Sequence, residues 1–243
     1  MIRTAIFVSS VVGLAASAAN ADLAFSFADP VGGRQLTYAQ DNSSGIGTGQ
    51  MTYSTTTNIT FIIDGSAEPT PFAGQNYTAA RMEMQLFIGI STTNAGVTQA
   101  AVLPNSFFRI YDSSVGTGAN ATILRGDANG GAFIRFGGTN SVLLSDITGF
   151  TYTFGTILQN LLVATGNSAS VPAVPQEAVF TITDVLTNRS QAGGFAPLIG
   201  PTGVIASFTA NSSFSGNTAT IPTPGALALV GIGGLVAARR RRA

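Results

Sequence analysis

The clearest strand pattern of the sequence lies in the first half of the chain, RMEMQLFIGI at residues 81–90. All its even-numbered positions are apolar, whereas its odd-numbered positions include Arg81, Glu83 and Gln85. Successive side chains of a β-strand point to opposite faces of a sheet. A two-residue period held over this length therefore predicts a strand with one buried face and one mostly solvent-facing face.

The same period recurs on both sides of this stretch and extends the prediction to a whole β-sheet. Residues 57–64 place Ile59, Phe61 and Ile63 on one face, and they end in an Asp-Gly pair, which favours a turn. Within the body, only residues 157–164 favour a short helix. Further strands are predicted at residues 22–29, 48–54, 107–112, 150–154, 176–186 and 203–209.

Residues 121–137 are predicted to form a β-hairpin. Two apolar-patterned runs flank Ala-Asn-Gly-Gly at residues 128–131, and Asn-Gly favours the positive φ angles that tight hairpin turns require. Asp127 and Asn129 also resemble the start of a calcium-binding loop, but the third ligand and the distal Glu of such loops are absent. The hairpin is therefore the preferred interpretation.

About ten strands with frequent turn signals predict an all-β fold, an antiparallel β-sandwich or jelly-roll-like body. The composition agrees, because 45% of residues are hydrophobic and only 9% are charged. No fixed-length repeat is present, which argues against a solenoid or a propeller. We assign residues 22–209 to one body domain and residues 210–220 (ANSSFSGNTAT), which are small and polar, to a flexible tether.

Missing residue types exclude several classes of chemistry. The chain contains no His and no Cys, so it has no Ser-His-Asp triad, no cysteine nucleophile, no disulfide and no zinc site of the usual kind. All 11 basic residues are Arg, and the body holds six of them against all 11 acids. An acidic body without Lys is unsuited to nucleic acid. We predict no catalytic residue, no metal ligand and no cofactor, and we do not expect an enzyme.

The N-terminus has the three parts of a secretory signal in order. It starts with Met-Ile-Arg, continues as an apolar run, and reaches Ala19-Asn-Ala21, which fits the small-x-small cleavage rule. This order predicts a signal peptide at residues 1–21, cleaved by signal peptidase before Asp22. The alternative is that this segment is buried in the core of the body.

The C-terminus predicts a short transmembrane helix. Its segment begins with a proline-rich motif, Pro222, Thr223, Pro224 and Gly225. An uncharged run at residues 225–238 follows, and the chain then carries an arginine cluster, Arg239, Arg240, Arg241 and Arg242. As a helix the run rises only ~21 Å, against a hydrocarbon core of ~30 Å. The arginines are expected to act as a stop-transfer signal on the cytoplasmic side; the alternative is a buried helix with a basic end.

This order of elements resembles the C-terminal signal of PEP-CTERM proteins, bacterial substrates of exosortases, which are membrane transpeptidases. The resemblance covers residues 221–243, with Pro222-Thr223-Pro224 where the family has Pro-Glu-Pro. It implies an exosortase-like partner, cleavage near the motif, transient anchorage in the inner membrane and delivery to the cell envelope or the outside. It implies nothing specific about the body.

Three functions stay open for the body. The first is a structural protein of the cell surface or of an exopolysaccharide or biofilm matrix, which needs only export, anchorage and a durable sheet. The second is a carbohydrate-binding or adhesive module, whose aromatic candidates are Tyr38, Tyr53, Tyr77, Tyr111 and Phe87. The third is a hydrolase with two catalytic carboxylates, although most acids lie beside turns. We rank them in this order, because the chain has no Trp and no recognisable catalytic motif.

Overall fold

The computed structural model describes a predominantly antiparallel β-fold with one α-helix in its described part. The all-β antiparallel prediction is therefore confirmed. The described residues are 21–28, 33–41, 48–94, 97–128, 133–137, 141–146, 150–170, 176–187, 190–191, 194–195 and 205–220.

Two sheets contain all the described strands. A small one pairs β13 (Ser190–Gln191) with β14 (Gly194–Phe195). The large one contains β1 (Ala21–Ala28), β2 (Leu36–Gln40), β3 (Gly49–Tyr53), β4 (Ile59–Gly65), β5 (Phe72–Asn94), β6 (Val97–Val102), β7 (Phe107–Asp112), β8 (Thr122–Ala128), β9 (Phe133–Gly137), β10 (Ser141–Asp146), β11 (Phe150–Phe154), β12 (Gln176–Thr187) and β15 (Phe208–Thr220). A 3-10 turn (Ala119–Ala121) precedes β8, and helix α1 (Thr156–Ala164) follows β11.

Strand β5 organises one side of the large sheet. It is 23 residues long and has two successive partners along each edge. Strands β4 and β3 follow each other along one edge, and β7 and β6 along the other. The stretch at residues 81–90 lies at the centre of β5, where Met82, Leu86 and Ile88 are fully buried.

Strand β15 plays the same part on the other side of the sheet. Strand β12 lies along one of its edges, while β2 and β1 follow each other along the other edge. The last strand described in the chain is thus hydrogen-bonded to the first two. This pairing brings the beginning and the end of the described chain together.

The large sheet closes on itself. From β5 the hydrogen-bonded order runs through β3, β2, β15, β12, β10, β9 and β6, and β6 pairs with β5 again. Strands β7, β8 and β11 branch from the other half of β5. At the end of this branch, Gln176 Oε1 accepts the backbone N–H of Tyr152, and the Tyr152 hydroxyl donates to the carbonyl of Glu177. Side-chain bonds therefore link β11 to β12, although no strand pairs with that edge of β11 in the described residues.

Aromatic rings fill the space between the branch and the rest of the sheet. Phe108 on β7 lies 5.4 Å from Phe214 on β15 and 5.1 Å from Phe180 on β12, measured between ring centroids. Phe25 on β1 meets the edge of Tyr152 on β11 at 5.9 Å. Such pairs add about 0.5–1.5 kcal/mol each beyond the burial of their area. This aromatic layer is the centre of the core.

Helix α1 confirms the prediction made for residues 157–164. The helix ends at Ala164, and Gly166 two residues later has a φ of +79°, which suits a residue without a Cβ. The N–H of Asn167 donates to the carbonyl of Leu162 at 2.8 Å, and that of Gly166 to the carbonyl of Val163 at 3.1 Å. This pair of bonds is a Schellman cap, which satisfies the last carbonyls of the helix.

The predicted hairpin at residues 121–137 is wrong. Strand β8 pairs with β7 and β11, whereas β9 pairs with β6 and β10. Both strands alternate in the same way, so the local pattern fits a distant partner as well as an adjacent one. The predicted turn residues 129–131 lie outside the described residues.

The predicted tether at residues 210–220 is also wrong, because these residues form most of β15. Ala210, Ser212, Phe214 and Thr218 are all buried. Small polar composition favours a linker only where no neighbouring strands supply hydrogen bonds, and β15 has them on both edges. Strands β2, β6 and β10 were not predicted.

The predicted membrane segments cannot be compared with the structure. Residues 1–20 and 221–243 lie outside the described residues. Within the part that the structure describes, no helix has the length and apolar character needed to cross a membrane.

Candidate functional site

The two ends of the described chain, which adjoin the two predicted processing regions in the sequence, meet at one end of the body. Ala21 pairs with Thr220 and Asp22 pairs with Ala219 in the antiparallel register of β1 and β15. The predicted signal cleavage bond thus lies between the first two residues of β1. The predicted sorting motif begins at Pro222, two positions after the end of β15.

The β4–β5 loop, residues 66–71, lies at the same end, which we call the junction end. Ala24 of β1 pairs with Asp64 near the end of β4, and the loop starts two residues later. The carboxylate of Asp64 accepts the N–H of Ser66 at 2.9 Å. This hydrogen bond lowers the pKa of Asp64 and fixes the start of the loop in an Asx turn.

Asn167 holds the loop from the other side. Its Oδ1 accepts the N–H of Thr70 at 3.0 Å, and its Nδ2 donates to the carbonyl of Thr70 at 2.8 Å. The side chain of Asn167 is buried, and so is that of Glu68 within the loop. The junction end is therefore ordered by paired strands and by a side-chain clamp from the end of α1.

The remaining predicted processing residues lie outside the described part of the chain. This applies to Ala19 of the cleavage site and to the whole sorting segment: Pro222, Thr223, Pro224, Gly225, Arg239, Arg240, Arg241 and Arg242. Their roles stay predictions from the sequence.

A second candidate surface is the charged face of β5, β7 and β8. Glu83, Arg109 and Arg125 lie side by side in the register of these three strands. Arg109 contacts Glu83 at 3.4 Å, and Arg125 contacts Asp127 at 2.6 Å. The hydrogen bond that Arg125 donates to the carboxylate of Asp127 is the main cause that raises the pKa of Arg125.

The arginines of this face are bound within the protein. Arg109 donates to the carbonyls of Thr117 and Gly118 at 2.8 and 2.6 Å, and its guanidinium lies 4.9 Å from the ring centroid of Tyr111. The guanidinium of Arg125 lies 4.3 Å from the ring centroid of Phe107. These cation–π contacts cover both aromatic rings. The face is thus an internally bonded surface, and its rings do not form a flat platform for sugars.

The aromatic row expected for carbohydrate binding does not form. Tyr38, Tyr53 and Tyr111 are at most 5% exposed, while Tyr77 and Phe87 are half-buried. The first two point inward because they occupy the buried positions of short alternating strands. Burial, and then the charge of Asp41, raises the pKa of Tyr38 to about 12.

Most of the described acids accept hydrogen bonds in turns, form ion pairs or bond to a neutral side chain. Asp64 and Asp112 each accept a backbone N–H two residues later, from Ser66 and Ser114, as turn chemistry predicts. Others bond to a nearby side chain: Asp41 to Thr48, Glu83 to Arg109, Asp127 to Arg125, Asp184 to Arg34 and Glu177 to Asn217. In the described ranges, no three His, Cys, Asp or Glu residues are grouped so that they could hold a metal ion.

Two of these arrangements could not be predicted from the sequence. The clamp between Asn167 and Thr70 joins residues 97 positions apart, although Gly-Asn after an apolar helical run is a usual capping signal. The proximity of the two chain ends that adjoin the predicted processing regions depends on β15. The composition of this strand favours a linker.

Comparisons of the chain with family models, with curated proteins and with solved structures found no match. Functional inference therefore rests on the residues of this chain and on their geometry.

Proposed function

We propose that this chain is an exported structural protein of the bacterial cell surface or of an exopolysaccharide or biofilm matrix. Signal peptidase removes residues 1–21, and a short transmembrane helix at residues 225–238 holds the precursor in the inner membrane. An exosortase-like transpeptidase then cleaves near Pro222-Thr223-Pro224 and releases the body to the outer surface. The observation that carries the proposal is that export-type segments adjoin both ends of one closed β-sheet body.

The body is proposed to be a two-layered sandwich of the jelly-roll type. One layer consists of β1, β4, β12 and β15, and the other consists of β7, β8 and β11. The inward rings of the first layer, among them Phe25 and Phe214, contact Phe108 and Tyr152 of the second. Such contacts between facing strands are typical of sandwich cores.

A structural role agrees with how the body is stabilised. The chain has no Cys for disulfides, so its durability depends on backbone pairing and on the aromatic core. The closed sheet leaves few strand edges open to other chains. Most of the described acids and arginines bond to one another, to turns or to neutral side chains of the body, as expected for surface charges that maintain a fold.

The experiment that tests the proposal is the intact mass of the protein recovered from cells and from the medium. We expect a species that starts at Asp22 and ends near Pro222. Ala21→Phe should block signal cleavage, because signal peptidase requires small residues at this position, whereas Ala18→Phe, outside the small-x-small pair, should not. Replacement of Arg239, Arg240, Arg241 and Arg242 by Ala should abolish retention at the membrane and sorting.

Two results would contradict the proposal. A recovered protein that still carries residues 1–21 would exclude the signal peptide. A surface protein that still ends in Arg242-Ala243 would exclude sorting cleavage and leave the tail as a plain anchor or a buried helix.

A further inference from the structure

We propose that, once the signal peptide is removed and before the sorting signal is cleaved, the junction end lies against the lipid bilayer, so that the β4–β5 loop faces the membrane. This inference rests on the proposed transmembrane tail and adds an orientation to it. It follows from the end of β15, from the register of β1 and from the position of the loop.

The first step is the length of the connection. Strand β15 continues to Thr220, and the proposed transmembrane helix starts at Gly225. Only residues 221–224 lie between them, and two of these are prolines. Four extended residues span at most about 14 Å. Because the headgroup layer of one leaflet takes up roughly 5–7 Å of that reach, the body is held directly above the lipid.

The second step is the stability of the end of β15. A frayed strand would lengthen the connection, but β15 is hydrogen-bonded to β12 up to Thr218 and to β1 up to Thr220. Thr218 is fully buried and Phe214 is 2% exposed. Residues 210–220 are thus part of the body, and they provide no slack between the body and the membrane.

The third step identifies the surface at this end. Gly65 at the end of β4 pairs with Phe72 at the start of β5, and the loop between them is held by Asn167. Ala67 in this loop is exposed. Thr92 is also exposed but lies near the opposite end of β5. The two positions therefore form a matched pair, one beside the tail and one far from it.

The fourth step concerns the cause of the contact. The loop and the end of β4 carry the carboxylates Asp64 and Glu68 and no basic residue. An anionic bilayer does not attract such a surface, since attraction to anionic lipid needs Lys or Arg. The short connection alone holds the junction end at the membrane, so the contact should disappear when the connection is lengthened.

The test uses residues 22–243, the chain without its signal peptide, in vesicles of phosphatidylethanolamine and phosphatidylglycerol, so that the C-terminal tail can be tested without the apolar N-terminal segment. Because the chain has no Cys, Ala67→Cys and Thr92→Cys each give a single site for a fluorophore. Nitroxide-labelled lipid headgroups should quench the label at position 67 at least about twofold more than the label at position 92, given the short reach of the connection. A Gly-Ser linker of about 20 residues inserted after Thr220 spans roughly 25 Å and should remove this difference without changing vesicle association.

The outcomes separate this inference from the proposed function. If the chain floats with the vesicles and the two labels are quenched equally, the orientation is wrong and the tail proposal stands. If quenching at position 67 survives the linker, the loop binds lipid by itself and the tethering argument is wrong. If the chain does not float with the vesicles, the transmembrane tail is wrong, and the orientation falls with it.

Discussion

Strands β5 and β15 occupy equivalent places in the sheet but have very different sequences. Each is long, and each has strand partners along both edges. The buried positions of β5 carry Met, Leu and Ile, whereas those of β15 include Ala210, Ser212, Gly216 and Thr218. This difference indicates that the residues of a central strand depend on the space and the hydrogen bonds that its neighbours provide, as much as on the hydrophobicity of the strand itself.

Gly216 shows how the neighbours set this space. A Cβ added there would meet the Tyr152 hydroxyl, and it would lie 2.7 Å from the ring of Phe214 and 2.8 Å from the carbonyl of Glu177. The ring of Tyr152 on β11 and the ring of Phe214 on β15 itself already fill the space over Gly216. Small residues are therefore required in this strand, and their abundance produced the mistaken prediction of a tether.

Among the substitutions in β5 and β15, Phe214→Ala is expected to lower stability most. Unchanged stability would contradict the comparison of the two strands. Phe214 lies 4.8 Å from the ring of Phe180 and 5.4 Å from that of Phe108. Removing a buried Phe should lower the free energy of unfolding by about 3–5 kcal/mol, at least as much as Leu86→Ala in β5. Chemical denaturation measures both, and the exposed neighbour change Ser215→Ala should stay within about 0.5 kcal/mol.

A pair of introduced cysteines tests the register of β15 against β1 directly. Ala24 and Asn217 are cross-strand partners of β1 and β15, so Ala24→Cys with Asn217→Cys should form a disulfide and stabilise the body by about 2–4 kcal/mol. Ala24→Cys with Ser213→Cys is the matched control, because Ser213 pairs with Ala28 instead. Equal oxidation of both pairs, detected by mass, would mean that β15 has no fixed register.

Two glycine substitutions should differ in sign between the strands. Gly216→Ala in β15 should destabilise the body by about 1–3 kcal/mol through overpacking. Gly74→Ala in β5 should stabilise it by about 0.4–1 kcal/mol, since an alanine restricts the unfolded chain, and the nearest atom to the added Cβ would be 3.6 Å away. Thermal unfolding of the two variants measures the difference, and a stabilising Gly216→Ala would refute the space argument.

The stability of the body is also expected to depend on pH on the alkaline side. Burial, and then Asp41, raises the pKa of Tyr38 from 10.0 to about 12 in the folded state. Above pH 10 the unfolded chain thus loses this proton first, so the stability from Tyr38 is complete below pH 10 and is lost as the pH rises towards 12. The slope is at most about 1.4 kcal/mol per pH unit for one tyrosine.

Tyr38→Phe should reduce this alkaline loss. Tyr38 stacks on Phe208 of β15 at 5.4 Å, whereas Tyr77 of β5 is only half-buried. Burial also raises the pKa of Tyr77, but Tyr77→Phe should change the pH profile less. Denaturation curves between pH 9 and pH 12 (where tyrosine ionises) measure the alkaline loss of stability in both variants. Identical profiles for Tyr38→Phe and Tyr77→Phe would contradict the larger effect expected for Tyr38.

The sequence predicted those elements whose own residues determine them. Strands β4, β7, β11 and β12 and helix α1 were found close to their observed bounds, because each carries a clear period or a clear apolar run; of β5 (Phe72–Asn94) only the central residues 81–90 were predicted. Strand β15 and the false hairpin at residues 121–137 were missed, because partner choice depends on strands far along the chain. A local pattern records which face of a strand is buried and not which strand lies beside it.

The candidate sites also include features that the local sequence predicts and features that depend on residues far apart in the chain. The order of motifs at the two termini can be recognised from sequence, since targeting signals are local. The adjacency of Ala21 and Thr220 could not be, because it requires the register between the first and last described strands. The burial of Tyr38 and Tyr53 could have been anticipated, since both follow the two-residue period of their strands.

The closure of the large sheet has a consequence for how such chains behave when crowded. Exposed strand edges are templates for fibril growth, and a surface layer or matrix holds proteins at high local concentration. In the described part of the chain, β11 has an edge without a strand partner, and Gln176 occupies the N–H of Tyr152 on that edge. If copies of the chain pack side by side in a surface layer, as proposed, this N–H is not available for pairing between them, and cohesion at this edge has to come from side chains or from the surrounding polymer.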